Sequence, residues 1–351
     1  MLNEADRAYL EGLRTTTTTV LREAIGSARD VAVLDAPNQR NVGDSLIWAG
    51  ELAYFERLGV RVRYVSDLSG YNAGDLRKAM PSGVVLLHGG GNFGDLWPGH
   101  QKHREQIARD LPDYRIVQLP QSIYFRDEER ATSANTIIGG HPDFRLLVRD
   151  SESMSRARRQ LPAVPATYCH DMALGYAPSG SDDRRDARRV LVIARADVER
   201  SSGLYDLDPG WLPGAELIKT DWGPGAGWPE RRWQAARAVT RADRRIARLR
   251  RRRRVPGARS VHSAATRAVT TLNKINVDGA IELYATAGLV VVDRLHAHVL
   301  AGLLGIEHIV LDNNYRKIGA VFDEYTGGLS TAHYATSLDE ARDMAMQAVT
   351  A

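Results

Sequence analysis

Val84-Val85-Leu86-Leu87-His88-Gly89-Gly90-Gly91-Asn92-Phe93-Gly94-Asp95-Leu96-Trp97 is a short β-branched and aliphatic run that empties directly into a glycine-rich loop. Loops of this kind, at the carboxyl ends of strands, are where parallel α/β sheets bind anions. Gly89, Gly90 and Gly91 let backbone N–H groups approach a phosphate or carboxylate with no Cβ in the way, and a helix N-terminus following them would add a favourable dipole. Asn92 closes that candidate cradle. A structural turn between strand and helix explains a glycine triplet alone equally well.

Outward from this loop the chain alternates short apolar strands with helix-length stretches. Strands are expected at 31–35, 61–65, 84–88, 115–119 and 145–149, each followed by a turn and a longer amphipathic segment. A polar stretch, 179–189, interrupts the pattern, which restarts with strands at 190–194, 288–293 and 307–312 and ends in a helix over 337–349. Such β-α alternation predicts an α/β fold whose parallel sheets carry helices on both faces. The expected organisation is a helical extension over 1–29, one Rossmann-like domain over 30–178 and a second over 190–351. The second carries an Arg-rich helical insertion at 229–275. Residues 199–228, rich in Gly, Pro and Trp, are read as irregular loop, and the threonine run 15–19 is assigned no chemistry. Two sheets facing each other would surround a shared cleft with their strand ends.

The chain has 351 residues, 43% hydrophobic and 26% charged, which fits one large or two ordinary globular domains. No run of about 18 apolar residues predicts a spanning helix, and the acidic, amphipathic start is unlike a signal peptide. A cytoplasmic protein is expected, with a peripheral seat on the inner membrane face as an option. The single cysteine, Cys169, excludes an internal disulfide and any multi-cysteine metal site. Its neighbours His170 and Asp171 cannot converge with it on one atom, because contiguous strand residues point to alternate faces. Cys169 is therefore expected as a buried thiol.

The net charge of +4 conceals an uneven distribution. Residues 231–254 hold twelve arginines against Asp243 alone, a local +11 that leaves the rest at about −7. As a helix this segment presents Ala235, Val239, Ala242, Ile246 and Leu249 as a narrow apolar stripe among arginines, the pattern of a basic interfacial helix. A solvated surface helix, a contact with an anionic membrane or lipid diphosphate through Arg250, Arg251, Arg252, Arg253 and Arg254, and a nucleic-acid patch all compete. No helix-turn-helix, RNA-recognition or zinc-finger pattern accompanies the charge, so no nucleic-acid partner is expected.

The remaining candidates stand at strand ends. Asn41 and Asp44 flank a helix start after the first strand, where capping, worth about 1 kcal/mol, would suffice to explain Asp44. Arg149 follows the fifth strand. Arg294 and His296 follow 288–293, whereas His298, two residues on, does not share a helix face with His296 and is read as a packing or capping residue. Lys317 belongs to a turn after 307–312. Together Arg149, Arg294, Lys317 and the glycines suit a small dianion or trianion, since guanidinium forks match carboxylate and phosphate and lysine adds a point charge. His296 and Asp44 are the candidate proton carriers.

NVGDSLI (41–47), LLHGGGNFGDLW (86–97), LPQSIYF (119–125), RDSES (149–153), HDMAL (170–174), DRLHAHVLA (293–301) and LDNNYRK (311–317) resemble the polysaccharide pyruvyl transferase family, in the family's order and over most of the chain. The resemblance implies a glycosyltransferase-B-like pair of domains facing a cleft. It also implies phosphoenolpyruvate as co-substrate and a glycan or lipid-linked oligosaccharide as acceptor; no further cofactor and no metal ligand are assigned, and a metal requirement is not legible in the sequence. The product would be a pyruvate ketal on a sugar. It implies His296 as acid/base, with Arg149 and Arg294 on phosphoenolpyruvate; Asp44 as hydroxyl base or orienter and Lys317 as a further cation are inferences from the chemistry. Two other classes stay open: a sugar-nucleotide glycosyltransferase of the same fold, and a non-catalytic, membrane-docked partner in polysaccharide assembly.

Overall fold

The computed structural model describes residues 2–178, 184–196, 202–208, 210–222, 229–253, 259–312 and 317–350. The first half builds a parallel sheet from β1 (Asp30–Leu34), β2 (Arg61–Ser66), β3 (Val84–Leu87), β4 (Gly90–Gly94), β5 (Arg115–Tyr124), β6 (Phe144–Val148) and β7 (Ala166–Tyr168). Their order is β2-β1-β3-β5-β6-β7, with β4 added on β5. The second half builds another from β8 (Asp186–Ile193), β9 (Glu216–Thr220), β10 (Ala287–Val292), β11 (Glu307–Leu311) and β12 (Ala332–Ala335) in the order β12-β11-β10-β8-β9.

Leaving β4 aside, both sheets run 2-1-3-4-5 in space, the first with a sixth strand added. The expectation of an α/β fold with parallel sheets holds, and the strand order is the flavodoxin type instead of the 3-2-1-4-5-6 of dinucleotide-binding folds. In this order the chain reverses direction between the first and third strands, and ligands bind outside the carboxyl ends there. For this chain the two reversal points are β1/β3 and β8/β10.

The glycine loop departs from expectation. No helix follows it: residues 90–94 form β4, which pairs with β5, and the next helix begins only at Pro98. Strand β5 likewise runs past Pro120, where the register against β6 shifts between Gln118 and Gln121. A proline without an N–H is tolerated at such an irregularity.

Helices α1 (Glu4–Ile25), α2 (Val42–Leu58), α3 (Ala73–Ala79), α4 (Pro98–Asp110), α5 (Glu128–Gly139) and α6 (Ser151–Gln160) belong to the first half. The second adds α7 (Glu230–Arg253), α8 (Arg259–Tyr284), α9 (Leu295–Leu304), α10 (Lys317–Glu324) and α11 (Leu338–Thr350). One apolar core joins the halves: Leu46, Trp48 and Phe55 of α2 cluster with Val277 of α8 and Leu300 of α9. The extension α1 crosses both halves. Arg14 donates to the carbonyls of Leu174 and Tyr176, and Tyr9 to that of Tyr325. Thr16, Thr17, Thr18 and Thr19 bond back to carbonyls four residues earlier, and Thr17 also meets His170 Nδ1 at 3.1 Å. Gly50 lets α2 touch the 3₁₀ turn Met172–Gly175, because a Cβ there would lie 1.8 Å from the Met172 carbonyl oxygen. That close approach fixes Asp171, the residue capping the turn.

Candidate active site between the two sheets

A polar cavity of about 230 Å³ opens between the halves, small beside drug-sized pockets and suited to a compact ligand. Its walls come from the two reversal points. Gln39, Asn41, Gly43 and Asp44 follow β1; Gly91 and Asn92 follow β3; Arg195 follows β8; and Arg294, Leu295 and His296 follow β10. Trp97, His100, Trp222 and Ile318 complete the lining.

His296 stands in the first turn of α9, with Nε2 3.2 Å from Oδ2 of Asp171. Its Nδ1 lies over Gly43, where a Cβ would come within 2.9 Å of that nitrogen. Asp171 is fully buried, caps the 3₁₀ turn through Ala173 N at 2.8 Å, and receives Arg149 Nη1 at 2.6 Å. Burial would raise its pKa, but the His296 ring and the Arg149 guanidinium outweigh this and hold the carboxyl well below the usual carboxylate range. Histidine, carboxylate and guanidinium thus form a line running inward from the cavity.

Arg149 must accordingly be moved from the rim to the interior. It has 0% exposure, donates from Nε to Ser122 Oγ at 2.9 Å, and does not line the cavity. A strand-end arginine can clasp a ligand only if its fork reaches the cleft, and here Asp171 stands between. The contiguity argument holds for Cys169, which is buried, and for His170, which turns to Thr17. Asp171 alone of the three faces His296. The segment HDMAL, conspicuous in the sequence, carried that signal.

A second histidine–carboxylate pair belongs to the first half. His100 Nδ1 lies 2.8 Å from Asp35 Oδ2. Asp35 takes a left-handed φ of 61°, one of only two non-glycine residues with positive φ among the described residues; the other is Trp222, at 46°. Both belong to this site, where strained backbone tends to collect. Burial would raise the Asp35 pKa, but the His100 hydrogen bond prevails and lowers it. Asn92 packs beside the pair, its Oδ1 accepting from Arg104 Nη2 at 2.9 Å and Gln121 Nε2 at 3.1 Å. Burial pulls the Arg104 pKa down to about 10.

The glycine cradle is largely committed to the protein itself. Gly89 N–H donates to Glu51 Oε1 at 2.9 Å, beneath a buried Glu51–His88 pair, and Asn92 N–H to Gln121 Oε1 at 3.0 Å. Of the three glycines only Gly91 lines the cavity. Asn41, not Asp44, caps α2, accepting from Gly43 N at 2.9 Å. Asp44 lies one turn in, accepts from Asn41 Nδ2 at 2.8 Å and Gln39 Nε2 at 3.1 Å, and still lines the cavity.

The cations come from the second half. Arg294 pairs with Asp221 and occupies the N-cap position of α9, which has no side-chain cap. The helix therefore presents its positive end to the cavity. Arg195 is set by Asp293, whose buried carboxylate accepts Arg195 N at 2.8 Å and Ser202 Oγ at 2.6 Å. Sequence reasoning missed Arg195, although it stands at a strand end as Arg294 does. His298 is a packing residue, as expected: fully buried, it bonds His308 Nε2 and Thr326 Oγ1, each at 2.7 Å. Lys317 begins α10, its side chain outside the described residues, as are the side chains of Arg250–Arg253 and all of Arg254.

Fold and cavity together define a two-sheet α/β protein with a polar cavity between its halves. The chain belongs to the polysaccharide pyruvyl transferase family, whose model matches residues 41–315. It is 27% identical to pyruvyl transferase 1 of Schizosaccharomyces pombe over 84% of this chain and 69% of that one. It is also 27% identical to EpsO of Bacillus subtilis, named for pyruvyl transfer, over 88% of this chain and 89% of EpsO. A crystal structure of a functionally uncharacterised Klebsiella pneumoniae protein shares the fold, with a TM-score of 0.55, 16% identity, and 93% and 99% of the two chains covered.

Proposed function

We propose that the cavity transfers the enolpyruvyl unit of phosphoenolpyruvate to two hydroxyls of one sugar, forming a pyruvate ketal and releasing phosphate. One observation carries this reading: a cavity-facing histidine on a buried carboxylate adjoins Arg294, Arg195 and the uncapped start of α9. Such an arrangement suits an anion that must be protonated on carbon. Two doubly wound sheets facing one cavity also support a glycosyltransferase-B-like architecture.

Arg294, Arg195 and the α9 N-terminus would hold carboxylate and phosphate. Protonated His296, stabilised by Asp171, gives its proton to C3, and C2 becomes electrophilic. The first sugar hydroxyl adds to C2, its proton passing to His100, whose Nδ1–H on Asp35 leaves Nε2 as acceptor. The second hydroxyl displaces phosphate and closes the ring. Its proton restores His296, while the proton on His100 leaves with phosphate. Asp44 would orient a hydroxyl, and Trp97, 51% exposed, offers a flat apolar face to the sugar ring. Arg149 would act through Asp171 without touching phosphoenolpyruvate. A cytoplasmic site, where phosphoenolpyruvate is available, fits this donor.

Incubating the protein with phosphoenolpyruvate and a panel of glycosides tests the reading. Acceptor-dependent phosphate release, with a new ketal methyl signal in the proton spectrum, is expected. Consumption of a sugar nucleotide, with phosphoenolpyruvate untouched, would replace it by the glycosyltransferase alternative.

A further inference from the structure

Helix α7 has two unlike faces. On the inner face Trp233, Ala236 and Thr240 are buried, and Trp233 Nε1 donates to Asn276 Oδ1 of α8 at 3.1 Å. Two arginines also turn inward: Arg237 donates to the Asn38 carbonyl and Arg244 to Asp67 Oδ2. These contacts hold the loop that lines the cavity, so part of the arginine run is structural.

The apolar stripe legible in the sequence is on the other side. Ala235, Val239 and Ala242 are exposed and Ile246 is half-buried, with Val239 at 37%. Positions 235, 239, 242 and 246 line one strip of a helix, and this strip lies opposite the packed face. Around it Arg231, Arg232, Arg241 and Arg245 are exposed. A helix whose packing is already satisfied on one side has no folding reason to carry a second apolar strip ringed by cations.

We propose that the outer face of α7 seats the protein on an anionic bilayer, the strip at the acyl boundary and the guanidiniums on lipid phosphates. A nucleic acid would use the arginines but give the strip no role, whereas a headgroup layer engages both. No helix among the described residues is long and apolar enough to cross a membrane, which makes this an interfacial contact. On its inner side the same helix is tied to the loop that lines the cavity. Glu230, at the start of α7, pairs with Arg40, and Arg40 stacks over Trp233 with its guanidinium carbon 4.4 Å from the ring centroid. Arg40 stands between the cavity residues Gln39 and Asn41.

Vesicle pelleting with the full chain tests this independently of the cavity's chemistry. Binding is expected to phosphatidylcholine vesicles containing phosphatidylglycerol and not to phosphatidylcholine alone. It should weaken at least about tenfold as salt rises from about 0.1 M to about 1 M, where the Debye length shrinks from about 10 Å to about 3 Å. Val239→Asp, at one exposed position, should reduce vesicle binding several-fold and leave any binding to random-sequence duplex DNA unchanged. Arg231, Arg232, Arg241 and Arg245 changed together to Gln should abolish vesicle binding. The proposal is overturned if anionic vesicles bind at no salt concentration. It is equally overturned if Val239→Asp binds vesicles as the parent does, or if duplex DNA binds more tightly than the vesicles.

Discussion

The two histidine–carboxylate pairs of the cavity use one interaction in different settings. His296–Asp171 bridges the halves: the ring comes from the second, the carboxylate from the first, and Arg149 lies behind it at full burial. His100–Asp35 lies within the first half, on a left-handed residue, with a His100 side chain 31% exposed. The carboxylate of the bridging pair is locked by a buried cation, so its histidine has a fixed, desolvated anion beneath it. The local pair remains partly solvated. Proton delivery to carbon is the harder task, and the proposed mechanism gives it to the bridging pair. Its assembly also requires the halves to be in register.

Breaking the bridging pair should have the largest effect. Asp171→Asn leaves the Arg149 guanidinium buried without its counter-charge, a loss of about 3–5 kcal/mol of stability, together with nearly all turnover. A denaturant melt and a phosphate-release assay on the same preparation check both. His296→Asn should lower turnover by about two to four orders of magnitude with an unchanged melt, whereas His298→Asn should act on stability and not on turnover per folded molecule. His100→Asn should cost about a hundredfold, the lower edge for a general acid or base. The loss should appear in steps involving acceptor while phosphoenolpyruvate affinity stays level. Equal losses at positions 100 and 296 would erase the distinction between the pairs.

A pH effect sharpens the comparison from outside the cavity. Burial pushes His298 well below its ordinary pKa and draws His308 and His103 down to about 4; none has a carboxylate hydrogen-bonded to its ring. As pH falls below about 6.5 the unfolded chain binds protons that these folded histidines refuse. Stability should therefore be full above that value and decline until about pH 4. Each proton is worth about 1.4 kcal/mol per pH unit, or roughly 2 °C of melting temperature in a chain of 351 residues. Asp171, with its lowered pKa, should add its own loss only at more acidic pH. A melting temperature that is flat from pH 7 to pH 5 would contradict this.

The central strands were legible because burial on both faces leaves unbroken aliphatic runs. Strands β7, β9 and β12 were not: each is the edge of its sheet, where exposed positions such as Thr167 and His333 dilute the pattern. Strand β4 was hidden by its glycines. In the site, Arg294 and His296 could be read because they follow a strand directly. Asp171 was not legible because its partner His296 lies 125 residues away in sequence and meets it only across the two halves. The His100–Asp35 pair joins residues far apart in sequence through a backbone conformation that no periodicity announces.

Helix α1 is synthesised long before the residues that anchor it. Asn3 bonds Ser330, Asp6 bonds Ser330 N–H, and Tyr9 bonds the Tyr325 carbonyl, across separations of 327, 324 and 316 residues. Contacts of such high order must wait for the rest of the chain to condense. The helix can dock early on the Leu174–Tyr176 carbonyls but cannot complete its clasp until residue 330 has been synthesised. Docking of α1 thus couples residues 3–9 to residues 325–330, and removing that distal segment would leave the helix held from Arg14 onward only.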